Sequence, residues 1–215
     1  MKKLVIFDLD GTLLHTVPDI MDSINYMLQY YGYKNVSYND ICHYVGNGAR
    51  NLVSRCIAHG GYKITEEELD ERLNFYNEYY TNSNSPKTKL FDGIGEVLIE
   101  LKKRGYYIAI LTNKPQVTTN NVYETYLKDY NFDRVIGSTK EFKIKPDKET
   151  TVNLMKEFSV EPKNTYFVGD GETDVVTSIN AGTNGIAVLW GYRSKEELKT
   201  AGAKVFIEAP KDLLN

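Results

Sequence analysis

The chain begins with an apolar run, Leu4-Val5-Ile6-Phe7, that stops abruptly at Asp8-Leu9-Asp10-Gly11-Thr12. No polar residue alternates within the run, as expected of a parallel strand covered on both faces. A single strand is not stable alone, so its partners have to come from elsewhere in the chain. The residues that follow do not supply them, because from 16 to 82 the pattern is helical. Thr16 and Asp19, with Pro18 in the first turn, form a capping-box-like start. Behind them Ile20, Ile24, Met27, Leu28 and Tyr31 share one helical face. Ser37 and Asp40 open a second, short helix that stops at Gly46-Asn47-Gly48. A third runs from Ala49, with Leu52, Val53, Cys56 and Ile57 on its apolar stripe, and ends at Gly60-Gly61. Thr65 and Glu68 cap a fourth, on which Leu69, Leu73, Tyr76 and Tyr80 repeat at helical spacing. The polar stretch from Asn82 to Lys89 reads as a linker.

Beyond it, helix and strand alternate. Ile94, Val97, Leu98 and Leu101 mark an amphipathic helix closed by Gly105. Strands follow at Tyr107 to Leu111, Arg134 to Gly137, Thr165 to Val168 and Gly185 to Leu189. Helices stand between them after Pro115, from Asp147 to Phe158 and from Thr173 to Ala181. Such alternation implies a parallel sheet with helices on both faces. The first strand can join that sheet only if the helical block is an insertion. The expected fold is therefore α/β: a Rossmann-like parallel-sheet core (residues 1–14 and 88–215) interrupted by an all-helical domain (15–87).

Composition narrows the function. With 41% hydrophobic and 26% charged residues the chain is an ordinary globular one and not a disordered one. A net charge of −3 leaves no basic excess to neutralise a nucleic-acid backbone. The longest apolar runs, Leu4 to Phe7 and Ile186 to Trp190, are too short to span a bilayer. Asp8 and Asp10 would spoil the apolar segment of a signal peptide, so a cytoplasmic location is expected. Cys42 and Cys56 lack metal-type spacing and read as small buried residues in a reducing compartment. His15, His43 and His59 form no ligand pair at helical spacing, which argues against zinc.

In open parallel sheets, ligands bind outside the carboxyl ends of the strands. Asp8-Leu9-Asp10, Thr112-Asn113-Lys114 and the segment from Asp170 to Asp174 all fall at such ends, and Lys145-Pro146 stands just before a helix. Carboxylates from Asp8, Asp10, Asp170 and Asp174 crowded at one mouth repel unless a cation joins them or a proton is retained. An all-oxygen set suits Mg²⁺ better than zinc or copper. Lys145 and the Thr112-Asn113 donors in turn require an anion, and a phosphoryl group bridged to Mg²⁺ meets both demands. Each piece has a plain alternative: a turn-forming acid, a helix cap, or an acid complementing a helix dipole. The order and spacing together are what favour the chemical reading.

These residues resemble the motif set of the haloacid dehalogenase superfamily of phosphohydrolases. Asp8-Leu9-Asp10-Gly11-Thr12 resembles its first motif, Thr112-Asn113 its second, Lys145-Pro146 its third and Gly169-Asp170-Gly171-Glu172-Thr173-Asp174 its fourth. The helical insertion is similar to the superfamily's α-helical cap, and the likeness runs over essentially the whole chain. Val17-Pro18-Asp19, Tyr44-Val45-Gly46-Asn47-Gly48-Ala49-Arg50 and the stretch from Gly105 to Pro115 are similar to phosphoglycolate phosphatases and related inorganic pyrophosphatases. Two departures stand out. His15-Thr16 replaces the usual Asp-Ser, and Gly171 stands where Ser often follows the first acid of the fourth motif.

The resemblance implies a Mg²⁺-dependent phosphatase of a small phosphorylated metabolite. Asp8 would be the nucleophile, forming an aspartyl-phosphate. Asp10 would protonate the leaving oxygen and then deprotonate water. To start protonated it would rely on neighbouring carboxylates and partial burial. Mg²⁺ would be held by Asp8, the Asp10 carbonyl, Asp170 and Asp174. Thr112, the Asn113 backbone and Lys145 would hold the transferred oxygens. In the cap, Asn47 and Arg50 are candidates for reading the leaving group, Arg50 by pairing with a substrate carboxylate. Equally, Gly46-Asn47-Gly48 can be a plain helix break with Arg50 solvated. Lys114 and Arg193, each just past a strand end, are further candidates. A pyrophosphatase or sugar phosphomutase of the same superfamily is the nearest rival reading. A haloacid dehalogenase, a signalling receiver domain and a silent phosphate-binding relative are more remote. A monomer or a homodimer is expected.

Overall fold

The computed structural model describes residues 2–83 and 86–215. In chain order, β1 (Leu4–Phe7) and β2 (Leu14–His15) precede four helices: α1 (Val17–Tyr30), α2 (Tyr38–Tyr44), α3 (Ala49–His59) and α4 (Glu66–Asn82). There follow β3 (Lys89–Leu90), α5 (Ile94–Lys103), β4 (Tyr107–Pro115), α6 (Gln116–Tyr126), β5 (Arg134–Ser138) and α7 (Glu149–Phe158). The chain continues through β6 (Thr165–Gly169), α8 (Glu172–Ala181), β7 (Asn184–Val188), α9 (Lys195–Thr200) and β8 (Phe206–Ile207).

The main sheet has the order β5-β4-β1-β6-β7-β8, and every pairing in it is parallel. β1 lies in the middle, with Leu4 beside Tyr107 of β4 on one flank and Thr165 of β6 on the other. Its lack of polar alternation is explained by cover on both faces. Val5 and Phe7 pack with Ile94, Val97, Leu98 and Leu101 of α5 and Val122 of α6. Leu4 and Ile6 pack on the opposite side with Leu154 and Met155 of α7 and Ala181 of α8.

The helices α1 to α4 bury a separate cluster, including Ile24, Met27, Ile41, Val53, Cys56 and Tyr76. The chain enters and leaves this helical unit side by side, because β2 and β3 pair antiparallel, Leu14 opposite Leu90 and His15 opposite Lys89. Part of the expected linker is thus a strand; residues 84 and 85, in its middle, lie outside the described residues.

Helix starts divide into two kinds. The Ser37–Asp40 and Thr65–Glu68 capping boxes form as expected. The Thr16–Asp19 pair does not. Thr16 has helical backbone angles, and its buried hydroxyl has no partner among the described residues. Asp19 instead accepts from the Lys87 amide (3.0 Å) and the Thr88 hydroxyl (2.7 Å), fastening the return strand to α1. The expected strand from Tyr107 to Leu111 also runs further, through Thr112-Asn113-Lys114 to Pro115, where pairing with β5 resumes opposite Ser138. α9 and β8 extend the core beyond the elements foreseen. Among the described residues no helix is long and apolar enough to cross a membrane.

Candidate active site

The chain steps from β1 to β4 on one side and later to β6 on the other, so the order in which strands are added reverses at β1. A crevice opens at such a point. Asp8 follows β1 directly, Thr112 and Asn113 lie near the end of β4, and Asp170 follows β6. All four are buried, as are Lys145 and Asp174. Asp8, Asp170 and Asp174 each offer a carboxylate oxygen within 4.8 Å of the others'. Lys145 Nζ reaches across them, donating to Asp8 Oδ1 and Asp174 Oδ1 at 2.6 Å each.

Neighbouring amides and one hydroxyl fix two of these carboxylates. Thr12 donates its hydroxyl to Asp170 Oδ1 (2.9 Å), and the Tyr192 amide donates to Asp170 Oδ2 (2.8 Å). The Gly171 amide donates to Asp174 Oδ2 (2.9 Å). Gly11 has φ of +90°, and a Cβ there would stand 2.3 Å from Asp170 Oδ2. The first motif therefore needs glycine both for its turn and for the approach of Asp170. Thr112 lines the cavity, and its hydroxyl accepts from the Lys114 amide at 3.3 Å. Asn113 has a positioning task that the sequence did not suggest. Its side chain accepts from the Lys145 amide (2.8 Å) and donates to the carbonyls of Lys145 (3.0 Å) and Gly46 (3.0 Å). It thereby sets the lysine and reaches the helical unit.

Three carboxylates face one ammonium in this cluster. Burial, reinforced by Asp174, pushes Asp170 up to about 7. Burial also raises Asp8, against the pull of the Lys145 ammonium and with the added push of Asp174 and Asp170. Burial alone would lower Lys145, but Asp174 and Asp8 outweigh it and hold its ammonium above the ordinary value. Surplus negative charge and an all-oxygen donor set fit a hard divalent cation. Asp10 stands outside this group: Lys114 Nζ lies 2.9 Å from each of its carboxylate oxygens. An ammonium, rather than the neighbouring carboxylates expected from the sequence, sets its surroundings.

Above the carboxylates lies a cavity shared between the core and the helical unit. Asp8, Asp10, Thr112, Asn113 and Lys114 form its floor, and Ile20, Val45, Leu52, Tyr76 and Tyr80 much of its wall. Gly46 and Gly48 line it, so the turn between α2 and α3 does reach the site. The two side chains named on that turn do not line it. Arg50 is exposed and turned along α4, where it pairs with Glu66 and Asp70. Asn47 is half-buried, and its carbonyl accepts from the Asn51 side chain in the first turn of α3. Helix geometry explains the correction, since a residue early in α3 can face α4 or the core but not both.

Arg193, flagged only by its place past a strand end, is a strut. Its Nε donates to Glu172 (2.9 Å), while its Nη atoms donate to the Cys42, His43 and Val45 carbonyls at the end of α2. The neighbouring Tyr192, missed from sequence, accepts through its hydroxyl from the Thr16 and Val17 amides at 2.9 and 3.2 Å. It supplies the cap that Thr16 and Asp19 do not. The available signal was a Gly-Tyr-Arg turn at the same strand-end mouth.

Residues 5–188 match a family model described as haloacid dehalogenase-like hydrolase. The chain is 32% identical over 218 residues to phosphoglycolate phosphatase 1 of Pseudomonas aeruginosa, across 100% of this chain and 79% of that one. It is 30% identical over 194 residues to a phosphoglycolate phosphatase of Haemophilus influenzae, across 88% and 87%. The crystal structure of a predicted phosphoglycolate phosphatase from Haemophilus somnus is similar with a TM-score of 0.91 and 28% identity, across 99% of this chain and 96% of that one.

Proposed function

Since this chain belongs to the haloacid dehalogenase-like hydrolase family, we propose that it is a Mg²⁺-dependent phosphatase acting on a small phosphate monoester, with phosphoglycolate as the first candidate. The observation that carries this reading is the placement of Asp8, Asp10 and Lys145. Asp8 and Lys145 meet at 2.6 Å in the carboxylate cluster, and Asp8 and Asp10 open on one cavity. Asp8 attacks phosphorus in line; the bond to the leaving oxygen breaks as the aspartyl-phosphate forms. Asp10 gives that oxygen its proton, then takes one from the water that cleaves the intermediate and releases phosphate. Lys145, Thr112 and the Asn113 backbone hold the transferred oxygens, where charge develops. Asp8, Asp170 and the Asp10 carbonyl would hold Mg²⁺, with Asp174 direct or through water. The bound ion supplies charge neutralisation at the phosphoryl group.

The helical unit, with its boundaries set at residues 15–87, serves as the cap over a core of 1–14 and 88–215. It closes the cavity against water and contacts the leaving group. A largely apolar wall with one ammonium suits a small, singly charged leaving group better than the second phosphate of a pyrophosphate or a sugar bisphosphate. The enzyme is assigned to the cytoplasm, as a monomer or homodimer. The test is phosphate release from phosphoglycolate, pyrophosphate, hexose phosphates, nucleotides and an aryl phosphate, with Mg²⁺ and with chelator. Release should require Mg²⁺ and disappear in Asp8→Asn, with phosphoglycolate the best substrate. Activity that persists in Asp8→Asn would overturn the nucleophile assignment.

A further inference from the structure

We propose that Lys114 determines specificity by receiving an anionic group, such as a carboxylate, on the leaving group of the ester. This rests on the phosphatase reading above and names the feature of the substrate that the cavity selects. Lys114 is only 7% exposed, yet it lines the cavity, and no other lysine or arginine does so among the described residues. Arg50, the guanidinium that the sequence offered for this task, is committed to Glu66 and Asp70 outside the cavity.

The two buried lysines divide the site between them. Lys145 serves Asp8 and Asp174, at the end where phosphorus is attacked. Lys114 serves Asp10, the residue assigned to the leaving oxygen, with Nζ at 2.9 Å from both carboxylate oxygens. An ammonium beside Asp10 is therefore beside the leaving group. The Tyr80 ring, 4.7 Å from Nζ, holds it from the helical unit. Ile20, Val45 and Leu52 give the same cavity apolar wall, and a charge contact is stronger in such surroundings than in water. The ammonium has already been desolvated on folding, so binding an anion does not incur that cost again. An anionic leaving group entering without it would meet the Asp10 carboxylate unscreened.

The competing reading is that Lys114 only neutralises Asp10, in which case every monoester depends on it equally. The two are separated by kcat/KM for 2-phosphoglycolate and for ethyl phosphate, which carries a methyl group in place of the carboxylate. Wild type, Lys114→Met and Lys114→Gln are compared; the Gln variant keeps a donor for Asp10 should the Met variant fail to fold. Wild type should favour phosphoglycolate, and that preference should fall roughly 10–100-fold in the variants, chiefly through KM. An equal fall for both esters, or a wild type without preference, overturns the proposal while leaving the phosphatase reading intact. If wild type releases phosphate from neither of these esters nor any other in the panel, the phosphatase reading fails instead, and calorimetry on Asp8→Asn with Mg²⁺ decides about Lys114; turnover of other esters alone overturns the proposal. Tighter binding of phosphoglycolate than of ethyl phosphate, removed by adding Lys114→Met, supports it; equal binding overturns it.

Discussion

Gly11 and Asp170 show how tightly single residues constrain this site. A methyl group at Gly11 would meet all three atoms of the Asp170 carboxyl group within 2.7 Å, in a backbone conformation that side chains rarely adopt. Gly11→Ala should therefore displace Asp170 and lower Mg²⁺-dependent phosphate release by at least about 100-fold, in line with losses from misplaced catalytic groups. Normal activity in that variant would overturn the proposal of Asp170 as a metal ligand. The same carboxylate makes a prediction about pH. Asp170 binds its proton more tightly in the folded chain, with a value about 7 against an ordinary 3.8. Its contribution to stability is thus complete below about pH 4 and is lost as pH rises toward about 7. Asp8 is shifted in the same direction. In chelator, the melting temperature should fall between about pH 5 and about pH 8, and added Mg²⁺ should restore most at the higher pH. A Mg²⁺ effect that is greatest under acidic conditions would contradict the assignment of the cluster.

Among the elements, the segment after β7 carries more than its length suggests. Trp190 donates to the Thr12 carbonyl (3.0 Å), Tyr192 caps α1, and Arg193 meets the carbonyls ending α2. Tyr192→Phe removes only the hydroxyl that accepts the first amides of α1, and should cost about 1 kcal/mol in a denaturation experiment. A change within error would show that water replaces the phenol. This segment also marks where sequence reading stopped short. The amphipathic helices and the apolar strands were legible because their periods repeat over several residues. β2, β3 and β8, each of two residues, carry no period at all. Thr16 and Asp19 have the right types for a cap, yet Tyr192, distant in sequence, supplies it. That Asp8 and Asp170 lie near each other was legible because the carboxyl ends of parallel strands share one edge of the sheet, whereas Lys145 arrives from the loop before α7. The direction of Arg50 could not, since it depends on where Glu66 and Asp70 stand on another helix.

At the scale of the molecule, the helical unit and the sheet core each bury apolar interior of their own, and a narrow ribbon and a few struts join them. Cys42 and Cys56 are both buried in the helical one, and burial pushes the Cys56 thiol up to about 12. The single tryptophan, Trp190, packs against the interior of the sheet. In rising urea, thiol labelling should therefore begin at lower concentration than the change in tryptophan fluorescence, because the smaller helical interior opens first. Coincident transitions would show that the struts make the two interiors one cooperative unit. The insertion itself was legible, as one apolar strand separated from its partners by a helical block leaves few other arrangements. Its closeness to the core was not, since it is fixed by contacts such as those of Asn113 and Arg193 that cross the chain. Tyr192 gives that closeness a thermodynamic meaning. Its amide donates to an acid of the carboxylate cluster, and its hydroxyl accepts from the amides that begin α1 of the proposed lid. If the lid and the cation each favour the same placement of this residue, reciprocity follows: the factor by which closure tightens the ion is the factor by which the ion favours closure.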